Sequence, residues 1–179
     1  MRRGRRLIGL CLQKMPAETD WQVRLHAVDW PMFHTIYGVA TKVPEQIERL
    51  HSADEGVALS GAADLRAGLC HPRVQIASAA LPALPFILEA LSAASDKVAA
   101  EILEMLVSFA ITTDPVRMRQ FASAVGKRRM AQPAWVGELR KALRTAMPRI
   151  GEYATHESAT ISELAAMFVE EMGKDAGSA

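Results

Sequence analysis

Hydrophobic and polar positions along the chain fall into a succession of helical stripes. The clearest run lies between Asp54 and Thr112. Asp54 is placed to cap a helix running to about Cys70, with Ala58, Ala62, Leu65 and Leu69 at i, i+4, i+7 and i+11 on its inner face. Ala58, Gly61, Ala62 and Ala63 let a neighbouring helix come close, while Gly56, Gly61 and Gly68 each weaken the helix by roughly 1 kcal/mol relative to Ala, so packing must hold it. His71-Pro72 breaks the chain. The stretch from about Arg73 to Ser92 is apolar nearly all round and is expected to be the most buried helix, kinked or broken near Leu81 by Pro82 and Pro85. Asp96 then caps a helix to about Thr112, with Val98, Ile102, Met105, Leu106 and Phe109 inward and Glu101 and Glu104 outward. The two caps lie 42 residues apart, within the period of about 40–47 residues of HEAT-type repeats.

The flanks continue the pattern. Trp21 to Val28 reads as a short helix. Asp29 is expected to cap another from Trp30 to Tyr37, with Pro31 in its first turn, Gly38 as its stop, and Trp30, Phe33 and Tyr37 on one face. That face either packs on the first repeat or anchors a partner, as interface hot spots favour Trp and Tyr. Pro44 opens a short helix with Ile47 and Leu50 inward. Asp114-Pro115 starts a helix to about Val125, and Gly126-Lys127-Arg128-Arg129 forms a basic loop. Pro133 starts the next helix, with Trp135, Val136, Leu139 and Leu143 inward, Arg140, Lys141 and Arg144 outward, and Pro148 ending or kinking it. A short piece from Arg149 to Tyr153 leads to the last helix, which begins between Thr155 and Ser158. It carries Ile161, Leu164, Ala165, Phe168, Val169 and Met172 on one face and stops at Gly173.

The expected architecture is all-α: HEAT-like stacked helical hairpins, an α-solenoid, in one domain over residues 15–173, with a basic tail at 1–14 and a frayed end at 174–179. The start, Met-Arg-Arg-Gly-Arg-Arg followed by Leu7 to Leu12, mimics a signal peptide. Its apolar run of about six residues is shorter than a signal sequence needs and far too short to span a bilayer. Met15-Pro16-Ala17-Glu18 also reads as a cytosolic N-terminus. A cytoplasmic protein, monomeric when free and without a membrane role, is expected.

Composition changes this picture little. A chain of 179 residues is long enough to bury a real core, and with aromatics at only 6% its apolar content rests on Ala, Leu and Met, which favour helices. Charge adds more. The net charge of +1 argues against a dedicated nucleic-acid protein. Residues 112–149, however, hold nine basic groups and two acidic ones, between blocks 44–111 and 150–179 that each carry a net −5. Arg117, Arg119, Lys127, Arg128, Arg129, Arg140, Lys141 and Arg144 in that middle block are candidate contacts for an acidic partner, and Glu101 and Glu104 for a basic one. Like charges on one solvated face of a repeat are the competing explanation.

No catalytic constellation is found. The chain has no Gly-rich phosphate loop, no His-Glu-x-x-His, no Gly-x-Ser-x-Gly and no kinase signature. None of His26, His34, His51, His71 and His156 has a metal-like partner at i+4, and Cys11 and Cys70 suggest neither a zinc site nor a disulfide scaffold. Cys70 is expected to be a buried hydrophobe, and His71 to bond an orphan carbonyl at an inter-helix corner. No catalytic residue, metal or cofactor is expected.

The run Asp29-Trp30, Tyr37-Gly38-Val39-Ala40, Val43-Pro44, Ile47 and Leu50 resembles the opening of a bacterial family of HEAT-repeat proteins. Leu69-Cys70-His71, Val74-Gln75-Ile76-Ala77-Ser78 and Ala83-Leu84-Pro85-Phe86-Ile87-Leu88 are similar to that family's next segments. The resemblance covers roughly residues 29–112 and, more weakly, Leu139–Met172. The family's His-Gln-Gly corner is replaced here by His71-Pro72-Arg73, and two extra residues stand before Pro85. Proteins of this kind include immunity proteins of polymorphic or contact-dependent toxin systems. The resemblance therefore implies a protein that binds and occludes a cognate toxin. Two other readings stand beside it. One is a HEAT-like scaffold with a non-toxin partner. The other is a HEAT-like DNA-binding protein or glycosylase, which would need a continuous basic groove.

Overall fold

The computed structural model describes residues 20–71, 75–124 and 133–174, the last four of the middle stretch by backbone alone. The tail at 1–14, Pro72, Arg73, the loop with Lys127, Arg128 and Arg129, and residues 175–179 lie outside the described residues. Within them the chain is mostly helical. Its elements are α1 (Asp20–His26), a 3-10 turn (Trp30–Met32), β1 (His34–Thr35), β2 (Gly38–Val39), α2 (Val43–Leu50), α3 (Glu55–Leu69), β3 (Cys70–His71), β4 (Gln75–Ile76), α4 (Ala80–Leu91), α5 (Asp96–Thr112), α6 (Pro115–Ala124), α7 (Ala134–Gly151), a 3-10 turn (Glu152–Thr155) and α8 (Ala159–Gly173). Lys174, expected to fray, pairs with Glu170 at 3.4 Å and with Glu171.

Several helix starts follow from local chemistry. Asp54 accepts the Val57 amide at 2.9 Å, and Asp114 accepts those of Val116 and Arg117 at 2.7 and 3.0 Å, so both aspartates satisfy orphan donors of a first turn. Pro44 and Pro115 sit where a missing amide costs nothing. Asp96 is the first residue of its helix; Ser95 precedes it and gives its hydroxyl to Glu55 at 2.7 Å.

Two segments depart from expectation. Residues 30–37 are not one helix: after a single 3-10 turn, His34 and Thr35 pair antiparallel with Val39 and Gly38. Trp30 is buried and gives its ring N–H to the Leu25 carbonyl at 3.0 Å, whereas Tyr37 faces solvent, so the three aromatics do not share a face. Gly38, at φ +136°, turns the hairpin rather than ending a helix. The apolar run after His71 is shorter as a helix than its pattern implies. Gln75 and Ile76 pair with His71 and Cys70, and α4 begins only at Ala80. Pro82 thus falls in a first turn, and Pro85 lies on the exposed side of a helix that continues past it. His71 is exposed and forms part of this pair instead of serving an orphan carbonyl. Cys70 is buried as expected, its thiol 3.5 Å from the Arg66 carbonyl.

The most buried helix is α5, not α4: every residue from Met105 to Asp114 is buried. α3, α4, α6, α7, α8 and the β3–β4 pair all touch it. α2 packs on α3, α4 on α5, and α7 on α8. Across these pairs, α2 meets α4 and α4 meets α7, while α3 meets α5 and α5 meets α8. The starts of α3 and α5 are tied through Glu55, which takes Ser95 at 2.7 Å and Lys97 at 2.8 Å. The starts of α5 and α8 lie together at the 3.8 Å pair of Asp96 and His156, and their ends at Arg140, so α3, α5 and α8 run side by side in one direction. Gly61 sets the closest approach: a Cβ there would stand 2.5 Å from the Leu50 amide nitrogen and 2.8 Å from the Gln46 carbonyl oxygen.

Candidate binding surface

Among the described residues, two of the expected basic contacts, Arg140 and Arg117, are engaged within the fold. Arg140 is a correction: it is buried and turned inward, its Nη1 donating to the Ala110 carbonyl at 2.8 Å and to Thr113 Oγ1 at 3.2 Å, its Nη2 to the Glu171 carbonyl at 3.3 Å. Its charge serves the C-terminal carbonyls of α5 and α8, the ends where a helix favours a cation. The signal was present in the sequence, because Val136, Leu139, Arg140 and Leu143 fall at i, i+3, i+4 and i+7, the positions of a buried stripe. Arg117 turns to the buried Glu171 carboxylate at 3.3 Å. Arg119, Lys141 and Arg144 are exposed. Lys127, Arg128 and Arg129 lie outside the described residues. Glu101 and Glu104 share Arg66 of α3, which donates to Glu104 at 2.7 Å and stands 3.4 Å from Glu101, so both carboxylates are turned toward a cation across the α3–α5 seam.

A different region carries an open surface. The β1–β2 hairpin and the 3-10 turn before it expose large apolar side chains: Tyr37 is 81% exposed, Val39 51% and, in the turn, Met32 72%. The hairpin backbone is tied to distant parts of the fold. The Ile36 amide donates to the Gly68 carbonyl at 2.8 Å, the His34 amide to Ser78 Oγ at 2.9 Å, and the Ala79 amide to the His34 carbonyl at 3.0 Å. Inside the turn, Thr35 Oγ1 donates to the Gly38 carbonyl at 3.0 Å and accepts the Tyr37 amide at 3.2 Å. The hairpin backbone is thus anchored at His34 and Ile36, with Tyr37 facing solvent.

Beside it opens a cleft of about 550 Å³ between the hairpin, α2 and α3, lined among others by Thr35, Tyr37, Val39, Gln46, Arg49 and Asp64. Arg49 is held by Ser60 Oγ at 3.1 Å and by Asp64 at 2.6 Å. Its Nε, and the Oε1 of Gln46 one turn earlier, are shielded from solvent and have no hydrogen-bond partner. Lys42 and Glu45 are exposed on the same cleft, without an ion pair among the described residues. Neither Gln46 nor Arg49 stood out in the sequence, because what distinguishes them is the cleft built by residues 35–39 and α3.

Burial pushes the Cys70 thiol up to about 11, which leaves it protonated and inert near neutral pH. Among the described residues, no group of three His, Cys, Asp or Glu side chains is placed to hold a metal ion, and no helix is long and apolar enough to cross a membrane. Comparison with family models, with curated proteins and with solved structures finds no match.

Proposed function

We propose that this protein is a HEAT-like protein-binding module that presents the Tyr37 hairpin to its partner, and that it acts as an immunity protein, neutralising a cognate toxin by stoichiometric occlusion. The observation that carries the binding role is the hairpin, whose backbone is anchored to the fold and which exposes Tyr37, a residue type enriched among interface hot spots. Three helix pairs, α2–α3, α4–α5 and α7–α8, support the HEAT-like reading, since α2, α4 and α7 touch in one succession and α3, α5 and α8 in another. The toxin partner rests on the resemblance of residues 29–112. Arg119, Lys141 and Arg144 offer a secondary contact for an acidic region of that partner. A groove for duplex nucleic acid is disfavoured, because Arg140 and Arg117 are engaged within the fold.

The test is co-purification with the product of the adjacent gene, paired with growth rescue in cells producing that product. A one-to-one complex that restores growth is expected. Tyr37→Ala should weaken it at least tenfold, about 1.4 kcal/mol, while moving the melting temperature by less than about 2 °C. Undiminished affinity in that variant would remove the hairpin from the interface. Absence of both complex and rescue would shift the assignment to a scaffold with another partner.

A further inference from the structure

The methionines among the described residues differ widely in exposure. Met105 and Met172 are buried in the core, Met118 and Met147 are half-buried, and Met167 on α8 is 38% exposed. Met32 is 72% exposed. It follows Pro31 in the 3-10 turn, where its amide donates to the Asp29 carbonyl at 3.0 Å and the Phe33 amide to the Trp30 carbonyl at 3.0 Å. The Ala40 amide donates in turn to the Phe33 carbonyl at 3.0 Å, and the turn touches β2. Met32 thus lies at the same end of the molecule as Val39 and Tyr37, the surface assigned above to the partner. Of the apolar side chains exposed there, Met32 is the one whose sulfur a peroxide readily attacks, and oxidation turns its flexible apolar side chain into a polar one. Cys70 does not compete, because it is buried and protonated.

We propose that Met32 is a reversible oxidation site that regulates the hairpin surface: hydrogen peroxide converts it to the sulfoxide, and the sulfoxide weakens the hold on the protein partner. In that step a peroxide oxygen bonds to Sδ, the O–O bond breaks, the sulfur gives up an electron pair and the rest of the peroxide leaves as water. A methionine sulfoxide reductase reverses it: two thiols become a disulfide and the sulfoxide oxygen leaves as water. The S–O group is a strong hydrogen-bond acceptor. A partner that covers Met32 as an apolar side chain must strip water from that oxygen without replacing the bond. The core methionines are shielded from the oxidant, so the change stays on the surface and the fold survives it. The inference rests on the protein-binding reading and adds to it the regulation of that surface.

The experiment treats the free protein with dilute hydrogen peroxide, stops the reaction with catalase and follows each methionine by peptide mass spectrometry. Met32 should be oxidised faster than Met167, with Met105 and Met172 last, and the melting temperature should not move. The treated protein is then mixed with untreated partner obtained by co-purification. Affinity should fall roughly tenfold, and methionine sulfoxide reductase should restore it. Met32→Leu keeps size and apolarity; it should bind as the original chain does and lose nothing on peroxide treatment, whereas Met167→Leu should stay sensitive. Oxidation of Met32 no faster than that of Met167 would overturn the proposal. So would unchanged affinity once Met32 is fully converted, or an equal loss in Met32→Leu. A complex that forms but ignores the sulfoxide leaves the binding reading standing without its regulation. No complex with either form removes the binding reading, and the regulation with it.

Discussion

Arg140 and Arg49 both lie on helices in a largely apolar protein, yet one is buried at a junction of helix ends and the other lines an open cleft. Arg140 is buried where α5 and α8 end, and its guanidinium is spent on two carbonyls and a hydroxyl. Arg49 is 30% exposed, its terminal nitrogens are tied to α3, and its Nε is unmet at a cleft wall. In the first region charge organises the core; in the second it ties α2 to α3 at the wall of a cleft. Burial and satisfaction, more than the count of positive residues, decide which arginines can meet a partner.

The sharpest way to break this comparison is Arg140→Met, which keeps length and apolarity and removes the donors. The Ala110 and Glu171 carbonyls would each lose a donor inside the fold, and stability should fall by about 2–4 kcal/mol, roughly 5–15 °C in melting temperature for a chain of this size. Partner affinity, measured where the variant remains folded, should be unchanged. A surface-like stability cost with lost binding would return Arg140 to the interface.

Gly61→Ala tests the other region from beneath. The new Cβ would press on the backbone of α2 at Leu50 and Gln46, which must move outward. The expected cost is about 1–3 kcal/mol, with the helix-propensity gain of Ala, about 1 kcal/mol, already set against it. Chemical denaturation measures it. The signals of Gln46 and Arg49 should move as well, because both ride on the displaced helix. A variant as stable as the original would mean that the α2–α3 seam yields freely and does not hold the cleft's shape.

How much of this was legible beforehand follows a physical line. Helix starts at Asp54 and Asp114 are decided within four residues, and the stripe of α3 by one face of one helix, so both can be read locally. The Tyr37 hairpin cannot. His34 is placed by Ser78 and Ala79, 44 and 45 residues away, and these bonds override an aromatic spacing that fits a helix equally well. The late start of α4 has the same origin, since Gln75 and Ile76 are taken by Cys70 and His71. α5 reads as one apolar face opposed by Glu101 and Glu104, and its place at the centre depends on what packs around it. The cleft was the least legible feature, because three separate segments build its walls.

The smallest effect expected is a pH dependence at His51, and its sign is fixed. His51 follows α2, stacks on Trp21 at 4.1 Å between ring centroids, and gives its Nε2–H to the Phe86 carbonyl at 3.0 Å. Burial holds its pKa below the ordinary histidine value, against the opposing pull of the Phe86 carbonyl and of Glu89, whose carboxylate Arg24 already engages at 2.6 Å. In the unfolded chain His51 takes up a proton near pH 6.5; in the folded chain it does so only at lower pH. The stability from the neutral ring is therefore fully present above about pH 6.5 and is lost as the pH falls through the folded pKa. His51→Gln keeps a donor within reach of Phe86 and cannot titrate. Denaturation midpoints between about pH 7 and 5 should fall more steeply for the original chain than for this variant, by a modest margin because the imidazole is partly solvated. Parallel curves would mean that the junction of α1, α2 and α4 admits the charged ring without cost, and that this seam, unlike the one at Arg140, is indifferent to charge.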